Sequence, residues 1–209
     1  MATDFPALRL VVFLAGFGLT GCEGVGGKYG SYWDGPHYNS AVNFMPENAP
    51  SMRNRYYLAS ESGRASENEH LGLDITGSLS TPVLAAASGV VTKAFFEPLY
   101  GNHVVISHGQ DAAGRKLNTS YVHLQAQSVS VGERVSRGQQ IGTLGRTGLL
   151  AAGILHLHFQ FDREDRRGRM IPQDPNQHWV NGSGVITCFD EGRDWPDSPF
   201  GLTYPVECR

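Results

Sequence analysis

From about Arg64 onward, apolar positions come in short runs separated by turn residues: "PVLAAASGVVTKAFF", "NHVVISHG", "LNTSYVHLQ", "VSVGERVSRGQQIGTLG" and "ILHLHFQF". Each run has the length and β-branched content of a strand or hairpin rather than of a helix. Ala85–Ala87 admits a helical turn, but Gly89 and the pair Val90 and Val91 favour strand. Alternation is cleanest at residues 154–161. There Leu155, Leu157, Phe159 and Phe161 fall on one face and His156, His158, Gln160 and Asp162 on the other. This predicts a half-buried strand whose polar face carries two imidazoles about 6.6 Å apart along the backbone. The stretch from residue 23 to 60 is rich in Gly, Ser, Asn and Pro with scattered aromatics, so it is expected to lie partly against the domain surface. Beyond Asp174 the chain is irregular, with Trp179, Trp195 and several prolines, as in a wrap rather than a second domain.

Composition narrows the class. The 209 residues, 40% of them hydrophobic, suffice for one domain of ordinary size with extensions. A formal net charge of −3 with no long basic run argues against nucleic acid as a partner. Twenty-six glycines fit short strands and many turns, so a mainly β protein is expected.

The N-terminus stands apart. Arg9 precedes an apolar stretch from Leu10 to Leu19, which is too short to span a bilayer as a mature helix but suits the apolar core of a signal peptide. The ending "LTGC" resembles a bacterial lipobox, which implies cleavage before Cys22 and lipid on that cysteine; the other reading is an ordinary secretory signal. Several acyl chains hold a protein at a membrane because each buried methylene adds about 0.8 kcal/mol. Glu23 follows Cys22, where Gram-negative lipoproteins retained at the inner membrane typically carry Asp, and this favours the outer membrane facing the periplasm. With Cys22 lipidated, Cys188 and Cys208 remain as an even pair that an oxidising compartment would join.

The candidate chemistry lies in three histidine motifs. "EHLGLDI" holds His70 and Asp74; extended, the two would lie about 13 Å apart, so a bend at Gly72 is needed to bring them to one ion. "SYVHL" holds His123, and "HLHF" holds His156 and His158. Two imidazoles and a carboxylate suit zinc and leave a position for water. The absence of HExxH excludes the helix-borne zinc proteases. A lone strand histidine is more often structural than catalytic. His103 and His108 are assigned to strand and turn surface, His37 and His178 to surface, Asn102 to a turn and Arg146 to an exposed turn.

The order HxGxD, then "GNHVVISHG", "YVHL", "VGERVSRGQQIGTLGRTG" and "HLHF" resembles the lysostaphin-type zinc metallopeptidases, bacterial cell-wall endopeptidases built on an antiparallel β domain. The resemblance runs from about His70 to Phe161. It implies Zn2+ held by His70, Asp74 and His158, with His123 and His156 as catalytic histidines that serve as general base and oxyanion stabiliser in an order left open. Together with the N-terminal, composition and cysteine readings above, it leads to an expected division into a lipoprotein signal peptide (1–21), a tether and N-terminal extension (22–60), a metallopeptidase domain (61–175) and a C-terminal wrap closed by the Cys188–Cys208 disulfide (176–209), the tail after Asp174 having no general counterpart in the family. The expected substrate is the peptide crosslinks of peptidoglycan, and a monomer is expected. The alternatives are a non-catalytic wall-binding or amidase-activating lipoprotein, and a zinc peptidase that cuts a secreted protein. The segment from Gln110 to Asn118 is longer than in compact members of the family.

Overall fold

A computed structural model describes residues 42–54, 56, 69–196 and 198–208; the expected signal peptide, Cys22 and His37 lie outside them. The strands, numbered in chain order, form two antiparallel sheets. The larger contains β1 (Met52–Asn54), β2 (Leu73–Thr76), β10 (His156–Glu164), β6 (Lys116–Leu124), β5 (Gly101–Gln110), β4 (Gly89–Glu97) and β8 (Arg134–Val135), side by side in that order. β11 (Met170–Gln173) pairs with the second half of β10, and β2 with its first half. The smaller sheet is β3 (Pro82–Leu84), β9 (Gln140–Thr143) and β7 (Ala126–Gln127).

Alternation explains where the core sits. Cross-strand partners share a face, and Leu73, Ile75, Leu157, Phe159, Phe161, Tyr121, Val104 and Ile106 form one apolar face of the large sheet. All are essentially buried, with Val83 and Ile141 of the small sheet in the same core. Each such side chain contributes roughly 1.5–3 kcal/mol on burial. The mainly β fold expected from the short apolar runs, and the antiparallel arrangement that the resemblance implies, are therefore the ones observed.

The expected strand through Ala85–Ala87 is interrupted. The main-chain groups there are taken by other segments: Ala85 N–H donates to Gln139, and Ala86 O accepts from Thr203 N–H (2.9 Å) and from the Arg137 guanidinium (2.6 Å). Thr203 belongs to the tail, which enters the core through Leu202, Tyr204 and Val206 and bridges β3 at Val83. The Cys188–Cys208 disulfide expected from the cysteine count is formed, with the two Cα atoms 6.0 Å apart. Met52–Asn54, in the stretch expected to lie against the domain surface, is hydrogen-bonded into the large sheet as its outermost strand on the β2 side.

Candidate metal centre and active site

The site is built on one row across the large sheet. Asn54, Asp74, His158 and Val122 are successive cross-strand partners on β1, β2, β10 and β6, so their side chains project from the face opposite the core. Asp74 and His158 are direct partners, and the His158 ring nitrogen Nδ1 lies 3.0 Å from Asp74 Oδ1. His70 enters from the segment before β2, with Nε2 also 3.0 Å from Asp74 Oδ1. The bend expected at Gly72 is present. Gly72 has a second reason to lack a side chain: a Cβ there would lie 2.5 Å from Phe159 O and 2.8 Å from His158 Nε2.

One donor atom each from His70, Asp74 and His158 lies within 4.8 Å of the others, and all three side chains are largely buried. The set fits zinc. Imidazole and carboxylate ligands at about 2.0–2.2 Å in a tetrahedron lie roughly 3.3–3.6 Å from one another, a range that the 3.0 Å and 4.8 Å limits of the spacings here enclose. Burial alone would raise the Asp74 carboxyl, but hydrogen bonds from His158 and His70 outweigh it and hold the group well below the ordinary carboxylate range. Asp74 is thus an anion in a desolvated setting, which is the state a cation requires of it.

His123 and His156 stand beside this triad. Their ring centroids are 4.8 Å apart, and His123 is 6.3 Å from His158. Strict alternation along β6 would turn His123 toward the core with Thr119 and Tyr121. It does not point there, because the β5–β6 register slips between Asn102↔Leu124 and Val104↔Tyr121. The extra residue is accommodated at His123, whose φ of 66° is left-handed. A bulge re-aims a side chain, and such strain in a non-glycine residue gathers at functional positions. Each of these rings donates from Nδ1 to a carbonyl, His123 to Thr147 and His156 to Ile154, both at 3.0 Å. A carbonyl can only accept, so in the neutral rings the lone pair is at Nε2. Burial lowers both pKa values, that of His123 to about 4, with the His156 charge as the next cause.

The structure therefore gathers all five candidate residues. Three other histidines differ from their assignments. His103 is not at the strand surface: both ring nitrogens are buried without a hydrogen-bond partner among the described residues, and burial pushes its pKa to about 4. His108 pairs with Ser88 O and Thr119 Oγ1 beneath Phe200. His178 packs on Phe161 with ring centroids 4.7 Å apart. In each case long-range packing covers a position that looks exposed from its local sequence. Asn102, assigned to a turn, is instead the second residue of β5, and its amide donates to Leu124 O and Gln125 O at the end of β6; Arg146 is exposed as expected. Two supporting residues had no signal in the sequence. Asn54 donates to Asp74 Oδ2, and Thr147, in the "GRTG" that ends the block quoted above, supplies the carbonyl that holds His123.

Comparison with known proteins assigns the segment that carries these residues to a family. The model of Peptidase family M23 matches residues 68–172. The chain is 42% identical over 92 residues to the peptidoglycan DD-endopeptidase ShyC of Vibrio cholerae, covering 44% of this chain and 20% of that protein. It is 36% identical over 143 residues to lysostaphin of Staphylococcus simulans, covering 66% of this chain and 28% of that protein. The crystallised catalytic domain of lysostaphin from Staphylococcus simulans superposes with a TM-score of 0.47 at 28% identity, covering 60% of this chain and 89% of the other. The chain spans about a fifth of the length of the first of these relatives. Since the family match takes in His70, Asp74, His123, His156 and His158 together, the chain belongs to Peptidase family M23, the lysostaphin-type zinc metallopeptidases.

Proposed function

We propose that this protein is a zinc-dependent endopeptidase that hydrolyses peptide crosslinks of peptidoglycan. The observation that carries the reading is the convergence of His70, Asp74 and His158 beside two histidines whose Nδ1 atoms are held by carbonyls, with His156 Nε2 lying 3.7 Å from Asp74 Oδ1. Support for the substrate comes from the relatives named as peptidoglycan DD-endopeptidases.

Zinc held here would supply a Lewis acid and would lower the pKa of water from 15.7 toward about 7. The residues of the chain do the rest. His70, Asp74 and His158 would hold the ion. One of His123 and His156 accepts at Nε2 the proton of the water that adds to the peptide carbonyl, and returns it to the departing amine nitrogen as the C–N bond breaks. The other, once protonated at Nε2, hydrogen-bonds the oxygen on which charge develops, since its Nδ1–H is already held by a carbonyl. Carbonyl acceptors at Thr147 and Ile154 orient both rings for this work.

The same reading takes residues 1–21 as a lipoprotein signal peptide, 22–60 as a tether and extension, 61–175 as the peptidase domain and 176–209 as a wrap, in a monomer held by lipid on Cys22 at the outer membrane. The Cys188–Cys208 disulfide supports an oxidising compartment such as the cell envelope. Digestion of purified sacculi with mass analysis of the released peptides tests the activity. Cleaved crosslinks are expected from the zinc-loaded protein. Intact sacculi, with cleavage of a secreted protein instead, would move the substrate to the alternative class. Mass analysis of the mature N-terminus tests lipid on Cys22.

A further inference from the structure

Asp74 has two carboxylate oxygens, and the metal triad engages one of them. Oδ1 lies 3.0 Å from both His70 and His158, whereas Oδ2 accepts a 2.6 Å hydrogen bond from Asn54 Nδ2. We propose that Asn54 is a positioning residue of the metal centre, fixing the rotation of the Asp74 carboxylate so that Oδ1 is presented to the ion. The proposal rests on the zinc reading above.

The chemistry of the contact is unambiguous. An ionised carboxylate only accepts hydrogen bonds, so the group of Asn54 that faces it must be the NH2. The acceptor is charged and largely buried, which makes the bond roughly twice as strong as a neutral one. The backbone is arranged to deliver it. Met52 pairs with Ile75, and a register shift then brings Asn54 opposite Asp74. Docking of β1 does not depend on Asn54. Met52 is 2% exposed, Ser51 Oγ pairs with Thr76 Oγ1 at 2.8 Å, and Thr76 N–H donates to Ser51 O at 2.9 Å. Asn54 is therefore free to serve the carboxylate. Partners of this kind, behind a metal ligand, typically govern 10–100-fold in affinity.

The test uses the full-length protein. Asn54→Leu and Asn54→Ala remove the donor, Asn54→Ser keeps one on a shorter side chain, and Ser51→Ala weakens the docking of β1 without touching Asp74. Zinc affinity is read by competition with a chromophoric chelator, and thermal unfolding of the metal-free proteins is read in parallel. The expected result is a loss of about 10–100-fold in zinc affinity for N54L and N54A, a smaller loss for N54S, and unchanged affinity for S51A despite a lowered melting temperature. Wild-type affinity in N54L and N54A, or a loss in S51A equal to theirs, overturns the proposal. A wild-type protein without stoichiometric zinc overturns the metal reading itself, and that failure is visible before any variant is made.

Discussion

The imidazoles of His123 and His156 lie 4.8 Å apart, and each is fixed by the same device, an Nδ1–H given to a main-chain carbonyl. The two rings come from strands on the same face of the sheet, yet only His156 reaches that face by alternation. His123 reaches it through a left-handed residue in a bulge.

On the proposed reading, metal binding and proton transfer fall to different residues. His70→Ala, Asp74→Ala and His158→Ala are expected to lose bound zinc and all activity. His123→Ala and His156→Ala are expected to keep zinc and to lose about 10²–10⁴-fold in kcat. Metal analysis of the purified variants beside crosslink cleavage checks the division. Zinc retained in all five variants would contradict it.

Gly72→Ala is expected to damage the site without removing a ligand. Its Cβ would collide with Phe159 O and with the His158 ring, which must then shift. A clash of this kind costs about 1–3 kcal/mol, and the ring that moves belongs to the proposed zinc triad. Lowered melting temperature together with reduced zinc affinity is the expected pair of readouts. A fully loaded, equally stable variant would show that the neighbouring segment gives way freely.

The Cys188–Cys208 bond closes a loop of sequence separation 20 and ties the end of the buried tail to the domain. Chain entropy assigns such a crosslink about 3 kcal/mol. Denaturant unfolding of a Cys188→Ser/Cys208→Ser double variant is expected to show a loss of that order. Zinc content should be unchanged, since neither cysteine belongs to the row of cross-strand partners that carries the triad.

Acid should destabilise the fold through histidines remote from the metal row. Burial lowers His108 and His178 from 6.5 to about 4, and the Arg163 charge adds to the effect at His178. The unfolded chain then binds more protons than the folded one between these values. Their contribution is fully present above about pH 6.5, and is lost as pH falls toward about 4. For His108 the loss is on the order of 3 kcal/mol at most. Melting temperatures of the metal-free protein across this range are expected to fall, and His108→Gln should flatten the slope. An identical pH profile in that variant would exclude His108 as a source.

Much of the site is legible along the chain because the signals are local. Period-two alternation at Leu155–Asp162 places His156 and His158 on the polar face whatever lies next to β10, since successive side chains of any strand point to opposite sides. A glycine between His70 and Asp74 marks a bend for equally local reasons, and an even cysteine pair needs only an oxidising setting. The remainder depends on neighbours distant in sequence. Asp74 meets His158 because β2 pairs with β10 in one register, and a slip of one residue would have turned it to the core. Alternation alone sends His123 the wrong way, and a bulge set by the β5–β6 pairing corrects it. Asn54 joins the site across the edge of the sheet, while His103, His108 and His178 are covered by packing that no local pattern encodes. Strand chemistry is a property of nearby residues, whereas register and burial are properties of the whole sheet.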